Sequence, residues 1–231
     1  MKRSLVVLTF MAAAVYTLGG LAAPAQAAKP KRNACDAHRK GAVARTSKAL
    51  VYGVYKRDDE GITATYYACL RPNGARIKLG VDEPDDGYYG SDATLGGIRA
   101  AGVYVAYITT TGGASSTACY KYQGSGCPSP VSRMHVVNVQ TRQVGTFKPP
   151  SGNGQIAVSD QGALAWLDYV NGTDQLLLGM QIRSANGALA GVPEQIDQGQ
   201  IAANSLSFTG LTLHWTKNGA AQSRSLQPIP G

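Results

Sequence analysis

Charge is scarce in this chain, at 16% of 231 residues, and the motifs that carry catalytic chemistry are missing. No G-x-S-x-G occurs, so no serine has the elbow that exposes a nucleophile. Ser115, Ser116 and Ser125 lie in glycine-rich context, which any loop composition supplies. No C-x-x-C and no H-x-x-x-H occurs, which removes the usual zinc spacings, and no cofactor-binding motif is present. His38 and His135 are far apart in sequence. No basic helix or recognised nucleic-acid motif accompanies the positive charge, which argues against nucleic acid as a partner. After residues 4–23 no second apolar run is long enough to cross a bilayer. Helical periodicity is absent too: beyond the leader, no 12-residue stretch sustains an i, i+3, i+4 apolar face with a clear cap.

What is present begins with an export signature. Met1, Lys2 and Arg3 give a positive start, residues 4–23 are uncharged and mostly apolar, and Ala25-Gln26-Ala27 offers the small-x-small pattern of signal-peptide cleavage. The reading is a signal peptide over 1–27, a basic lead-in over 28–40 and a single domain over 41–231 in a secreted or extracytoplasmic protein. Without Lys2 and Arg3, 20 basic against 14 acidic residues leave a mild +6. Lys29, Lys31, Arg32, Arg39, Lys40, Arg45 and Lys48 hold much of that excess, as a solvated lead-in or as an adhesive for an anionic envelope polymer.

Four cysteines in an exported chain predict two disulfides, with three pairings formally open. Cys119 and Cys127 flank YKYQGSG, whose glycines can close a small loop, so they are paired with each other and Cys35 with Cys69.

The dominant pattern is alternation. Runs of β-branched and aromatic residues, punctuated by Gly, Asn and Ser, predict an all-β protein. ALVYGVY (49–55), GVYVAYI (102–108), GALAWLD (162–168) and LTLHWTK (211–217) are each preceded by a shorter run: GAVARTSK, LGGIRAAG, GQIAVSDQ and SLSFTG. In the first three copies a further strand, turn and outer strand follow: YYACL-RPNGA-RIKLG, MHVVNV-QTRQ-VGTF and LLLGMQI-RSANGA-LAG. Asn73-Gly74 and Asn186-Gly187 are the dipeptides that tight hairpins favour. Each unit therefore reads as a four-stranded antiparallel meander, about 50 residues apart, the last lacking its outer strand. This arrangement resembles exported bacterial β-propeller-like repeat proteins of unestablished activity. The resemblance implies about four blades in a closed or incomplete ring. A β-sandwich or barrel is the alternative. If the N-terminal segment closes the ring, residues near Cys35 lie beside 220–226; otherwise that edge is free.

Candidate sites follow from the interruptions. Tyrosine is concentrated between Tyr52 and Tyr122, with only Tyr16 and Tyr169 outside. Tyr104 and Tyr107 fall on opposite faces of an apolar strand. Tyr88, Tyr89, Tyr120 and Tyr122 fall in polar loops, where an aromatic face with a hydroxyl suits sugars or peptides, and they are the predicted ligand contacts, within loops 81–92 and 109–130. Asp82, Glu83, Asp85, Asp86 and Asp92 form an acidic loop in which Pro84 spoils the EF-hand spacing, so a solvated loop is favoured over calcium. His214 shares a face with Thr212 and Thr216, opposite Leu211, Leu213 and Trp215, and reads as structural. Asn171-Gly172-Thr173 reads as a turn. The leading function is a non-enzymatic binding or scaffold module for an envelope or extracellular ligand. The alternatives are a glycan hydrolase or lyase pairing Asp92 with Asp168, and a structural protein that self-associates through an unpaired sheet edge.

Overall fold

Alternation of this kind forces each strand to bury both faces or to expose one, and the structure uses the first solution for its middle sheets. The computed structural model describes Cys35, His38 and residues 41–58, 61–71, 74, 76–82, 93–111, 131–148, 155–170 and 174–226, all within Arg32–Gly231. Among these, only Cys35 and Gly41 have helical backbone, and every strand pairing is antiparallel. The first sheet is β1 (Ala42–Arg45), β2 (Ala49–Asp58), β3 (Gly61–Leu70) and β4 (Arg76–Asp82), in chain order. The second is β5 (Ala93–Ala101), β6 (Tyr104–Thr111), β7 (Val131–Asn138) and β8 (Gln143–Phe147). The third orders β9 (Ile156–Val158), β10 (Ala163–Val170), β11 (Asp174–Gln181) and β14 (Glu194–Gln198), with β12 (Arg183–Ala185) and β13 (Ala188–Ala190) as a separate hairpin between β11 and β14. The fourth has three strands, β15 (Ser207–Thr209), β16 (Thr212–Lys217) and β17 (Ala220–Ser225).

The four repeated units are thus four meanders, and the last has three strands as its sequence implied. One boundary differs. The third unit's outer strand is Glu194–Gln198, and Leu189 and Ala190 of the LAG read as that strand instead belong to the β12–β13 hairpin. Asn186 (φ 49°) and Gly187 (φ 79°) do form the predicted tight turn, but Ile182 interrupts the chain between β11 and β12. The freed hairpin then lies against β8, where a Cβ on Gly145 would sit 2.5 Å from the Leu189 carbonyl oxygen. The described strands thus form antiparallel sheets throughout, with almost no helix.

Each sheet contributes one parity of residues to the neighbour before it and the other parity to the neighbour after it. Ala49 and Val51 of β2 meet Val105, Tyr107 and Val137 of the second sheet. Ala106 and Met134 on that sheet's other face meet Leu164, Trp166 and Met180 of the third. Ala165, Leu167 and Leu177 then meet Leu213 and Trp215 of the fourth. Tyr104 and Tyr107 accordingly serve two different cores, as their spacing predicted. No apolar cluster among the described residues joins the fourth sheet to the first.

The outer face of the first sheet carries Leu50 and Tyr52, both fully buried, under Cys35 and its disulfide to Cys69. His38 lies flat on Tyr52, with ring centroids 4.1 Å apart, Tyr67 stacks beyond it, and the Arg76 guanidinium sits 5.2 Å from the Tyr67 centroid. Among the described residues the Tyr52 hydroxyl has no hydrogen-bond partner, so this ring acts through its apolar area. Cys35 is therefore committed to the first sheet, while all six residues of β17 are exposed. Of the two expectations for that edge, the free edge is the one observed among the described residues.

At one end of the series the first hairpins of successive meanders touch. Thr46 accepts the Ala49 amide at 2.7 Å through Oγ1, and the same hydroxyl donates to the Gly102 carbonyl of the next meander at 2.7 Å. Ser159 repeats the first half of this arrangement, its Oγ accepting the Ala163 amide at 2.8 Å. Gly102, Gly162 and Gly210 recur at this turn with φ between 55° and 77°, a region in which glycine has no steric penalty.

Candidate functional site

With the first hairpins at one end, the strands that lead into the long insertions end at the other. A side chain on Gly80 of β4 would meet Leu95 Cδ1 at 2.9 Å and Thr109 Cγ2 at 3.8 Å, so the end of β4, the start of β5 and the end of β6 lie together. The described flanks of both predicted contact loops, Asp82 and Ala93 for one and Thr111 and Val131 for the other, are therefore at a common end. Tyr88, Tyr89, Tyr120 and Tyr122, the Cys119–Cys127 pairing, Glu83, Asp85, Asp86 and Asp92 lie outside the described residues. So do the signal-peptide segment and Asn171-Gly172-Thr173.

What the structure adds at this end was not singled out from sequence. Gly53 pairs with Tyr66 and Tyr55 with Ala64, while Ala64 pairs on its other side with Asp82, so Tyr55, Tyr66 and Asp82 share the face turned toward the second sheet. The Tyr55 ring folds back over Gly53 and stays 62% exposed. Burial, then the charge and hydrogen bond of Tyr55, raise the Tyr66 phenol above its ordinary range, and burial raises Asp82. A signal for Tyr55 existed: ALVYGVYKRD places an aromatic two residues past a glycine at the strand's charged end.

Across from this face, His135 accepts or donates at both ring nitrogens, with Thr109 Oγ1 2.8 Å from Nε2 and Thr146 Oγ1 3.2 Å from Nδ1. Its ring stacks on Tyr107 at 5.0 Å. Burial, then the Arg133 charge, lower its pKa, so the imidazole is neutral at pH 7. Burial pushes the Tyr107 phenol up to about 12. His214 lies between Ser207 and Ser223 on the outer face of the fourth sheet, opposite the buried Leu213 and Trp215, as its spacing required.

A second feature of the same end is a cleft of about 350 Å³ between the third and fourth sheets, lined by Gln175, Gln200, Ile201, Ala202, Asn218 and Gly219. The connection after β14 is pinned to β16 by Ala202 N–H donating to the Thr216 carbonyl at 2.8 Å and by Ser205 Oγ, which accepts the Thr216 amide at 3.1 Å. Gln175 fixes its other side, Oε1 accepting the Ile201 amide and Nε2 donating to the Tyr169 hydroxyl at 3.5 Å. The lining is uncharged and rich in amides, which donate and accept in the same side chain.

On these same strands Asp197 holds the two sheets in register. Its carboxylate accepts Lys217 Nζ at 2.6 Å and Trp215 Nε1 at 2.9 Å, and Oδ1 also takes the Gln198 amide. Burial alone would raise its pKa, but the donors Lys217, Gln198 and Trp215 together with the Lys217 charge hold it below the ordinary carboxylate value. A depressed folded pKa stabilises above the unfolded value of about 4 and loses that contribution as pH falls through the folded one. Asp197→Asn is therefore expected to cost about 1–3 kcal/mol at pH 7. Urea unfolding across pH checks this: the variant and the wild type should converge in acid, and a constant difference would show that charge is not the cause.

Asp168 is buried, with Oδ1 accepting the Tyr169 amide at 2.9 Å. No group of three His, Cys, Asp or Glu with metal-holding geometry occurs among the described residues, and none of their helices is long and apolar enough to cross a membrane. No protein-family model, no curated protein and no solved structure matches this chain.

Proposed function

We propose that this chain is an exported, non-enzymatic binding or scaffold module, built as an incomplete propeller-like arc, whose loop-bearing end takes a neutral, hydroxyl-rich polymer of the envelope or extracellular space. The observation that carries this reading is the composition of that end. The uncharged cleft of Gln175, Gln200 and Asn218 opens there, and Tyr55 exposes an aromatic ring there. Amides that pair with hydroxyls and a ring that covers apolar C–H faces are the groups by which proteins hold sugars. Of the titratable groups at this end, His135 is held between two threonines and Asp197 between Lys217 and Trp215. The fully buried disulfide between Cys35 and Cys69 accords with an oxidising compartment.

Retention of the purified chain on insoluble envelope polysaccharide tests the reading. Tyr55→Ala and Gln200→Ala together are expected to weaken retention at least about tenfold, the equivalent of losing one stacking contact and one hydrogen bond. Both side chains are exposed, so thermal stability should hold. Unchanged retention in the double variant would overturn the proposal.

A further inference from the structure

We infer that β17 is an assembly edge, through which two copies of this chain pair antiparallel about a two-fold axis at Ser223. The inference starts from how the four outer strands differ. Exposed strand edges template further pairing, and proteins blunt them with charge, bulges or a cover. β4 carries Arg76, Lys78 and Asp82 and sits across an irregular register at Tyr66/Tyr67. β14 carries Glu194 and Asp197 and sits across another at Leu177/Leu178. β8 is covered by the β12–β13 hairpin, Leu189 lying against Gly145 and Gln143 donating to Ser184. Among the described residues β17 has neither a bulge nor a cover. It pairs with β16 without a bulge from Thr212↔Ser225 to Lys217↔Ala220, its residues are all exposed, and its one charge, Arg224, is turned to Glu194 of its own chain at 3.4 Å.

The geometry of the β16–β17 hairpin says which groups are free. Asn218 (φ 50°) and Gly219 (φ 79°) form a two-residue turn, so Lys217 and Ala220 close it as a hydrogen-bonded pair. Alternation then turns the amides of Ala220, Gln222 and Arg224 toward β16, and those of Ala221, Ser223 and Ser225 outward. Paired residues in an antiparallel sheet share a face, so a two-fold axis must set odd residues against odd. With Ser223 opposite itself, Ala221 faces Ser225 of the other copy and Arg224 faces Gln222. That register opposes no like charges, keeps the side chains small, and uses every outward amide, giving about six inter-chain hydrogen bonds. A second copy is favoured over a foreign strand because the edge is complementary to itself. Because the other outer edges are guarded, the assembly closes at two copies instead of growing into a filament.

Sedimentation of the purified full chain over a range of concentrations tests this. The wild type is expected to form a dimer. Ser223→Pro removes an outward amide and leaves the β16 ladder intact, and it should weaken association at least about tenfold. Ala221→Lys with Ser225→Lys keeps every amide but sets lysine against lysine, and its loss of association should shrink in high salt. Circular dichroism and melting of both variants should match the wild type. A wild type that stays monomeric overturns the inference, even if an extended peptide from another protein adds to β17. So does a dimer that both variants retain.

Discussion

Replacing Trp166 with alanine is expected to destabilise the protein by about 3–5 kcal/mol. Trp166 is 3% exposed at the middle of β10, flanked in register by Ile156 and Leu178. It fills the core between the second and third sheets with Ala106, Met134, Val136 and Met180. In a series of sheets in which each buries itself only against its neighbours, stability is a sum of unit and neighbour-interface contributions, and a weakened interface can let the units on either side unfold separately. A cavity at this position strikes the central one. The two ends of the series should then uncouple, so that urea unfolding becomes broader or splits into two steps. Trp215, the other of the two tryptophans, reports on the third and fourth sheets by fluorescence, while far-ultraviolet circular dichroism follows the whole. A loss below about 1 kcal/mol with a single unchanged transition would show that the interfaces do not depend on this residue.

Breaking the link between Cys35 and Cys69 is expected to cost about 4 kcal/mol on chain-entropy grounds, since the bridge spans 34 residues. Both sulfurs are fully buried, so the cost has a second part. Cys35 and His38 cover Leu50 and Tyr52, and without the bridge this outer face of the first sheet is exposed to water. The double substitution Cys35→Ala and Cys69→Ala avoids burying a new hydroxyl and isolates the loss of the bridge. Its melting temperature is expected to fall well below that of the oxidised protein. A variant that melts with the wild type would mean that the covering segment is held by packing alone.

The fold was legible because the repeated unit is local. The order of strands in ALVYGVY, GVYVAYI, GALAWLD and LTLHWTK follows from period-two alternation and from turn residues such as Asn186-Gly187, and both are properties of neighbours in sequence. The misplaced outer strand of the third meander shows the limit. LAG and EQIDQ are both short, and propensity does not separate them; packing of Leu189 against Gly145 does. The candidate site was less legible for a similar reason. Gln175, Gln200 and Asn218 come from three separate stretches and have no motif in common, and only the docking of the fourth sheet on the third makes them one surface.

The sequence by itself determined the β class, the repeated meander units, the opposite faces of Tyr104 and Tyr107, and the truncation of the last unit. Each rests on alternation, spacing or parity within a few residues. Tertiary structure decided which sheet Cys35 and His38 cover, which end holds the cleft, and which outer edge is left open among the described residues. Those are contests between surfaces distant in the chain, won by burial of Leu50 and Tyr52 under Cys35 and by the cover that β13 gives β8, and no local pattern encodes the outcome.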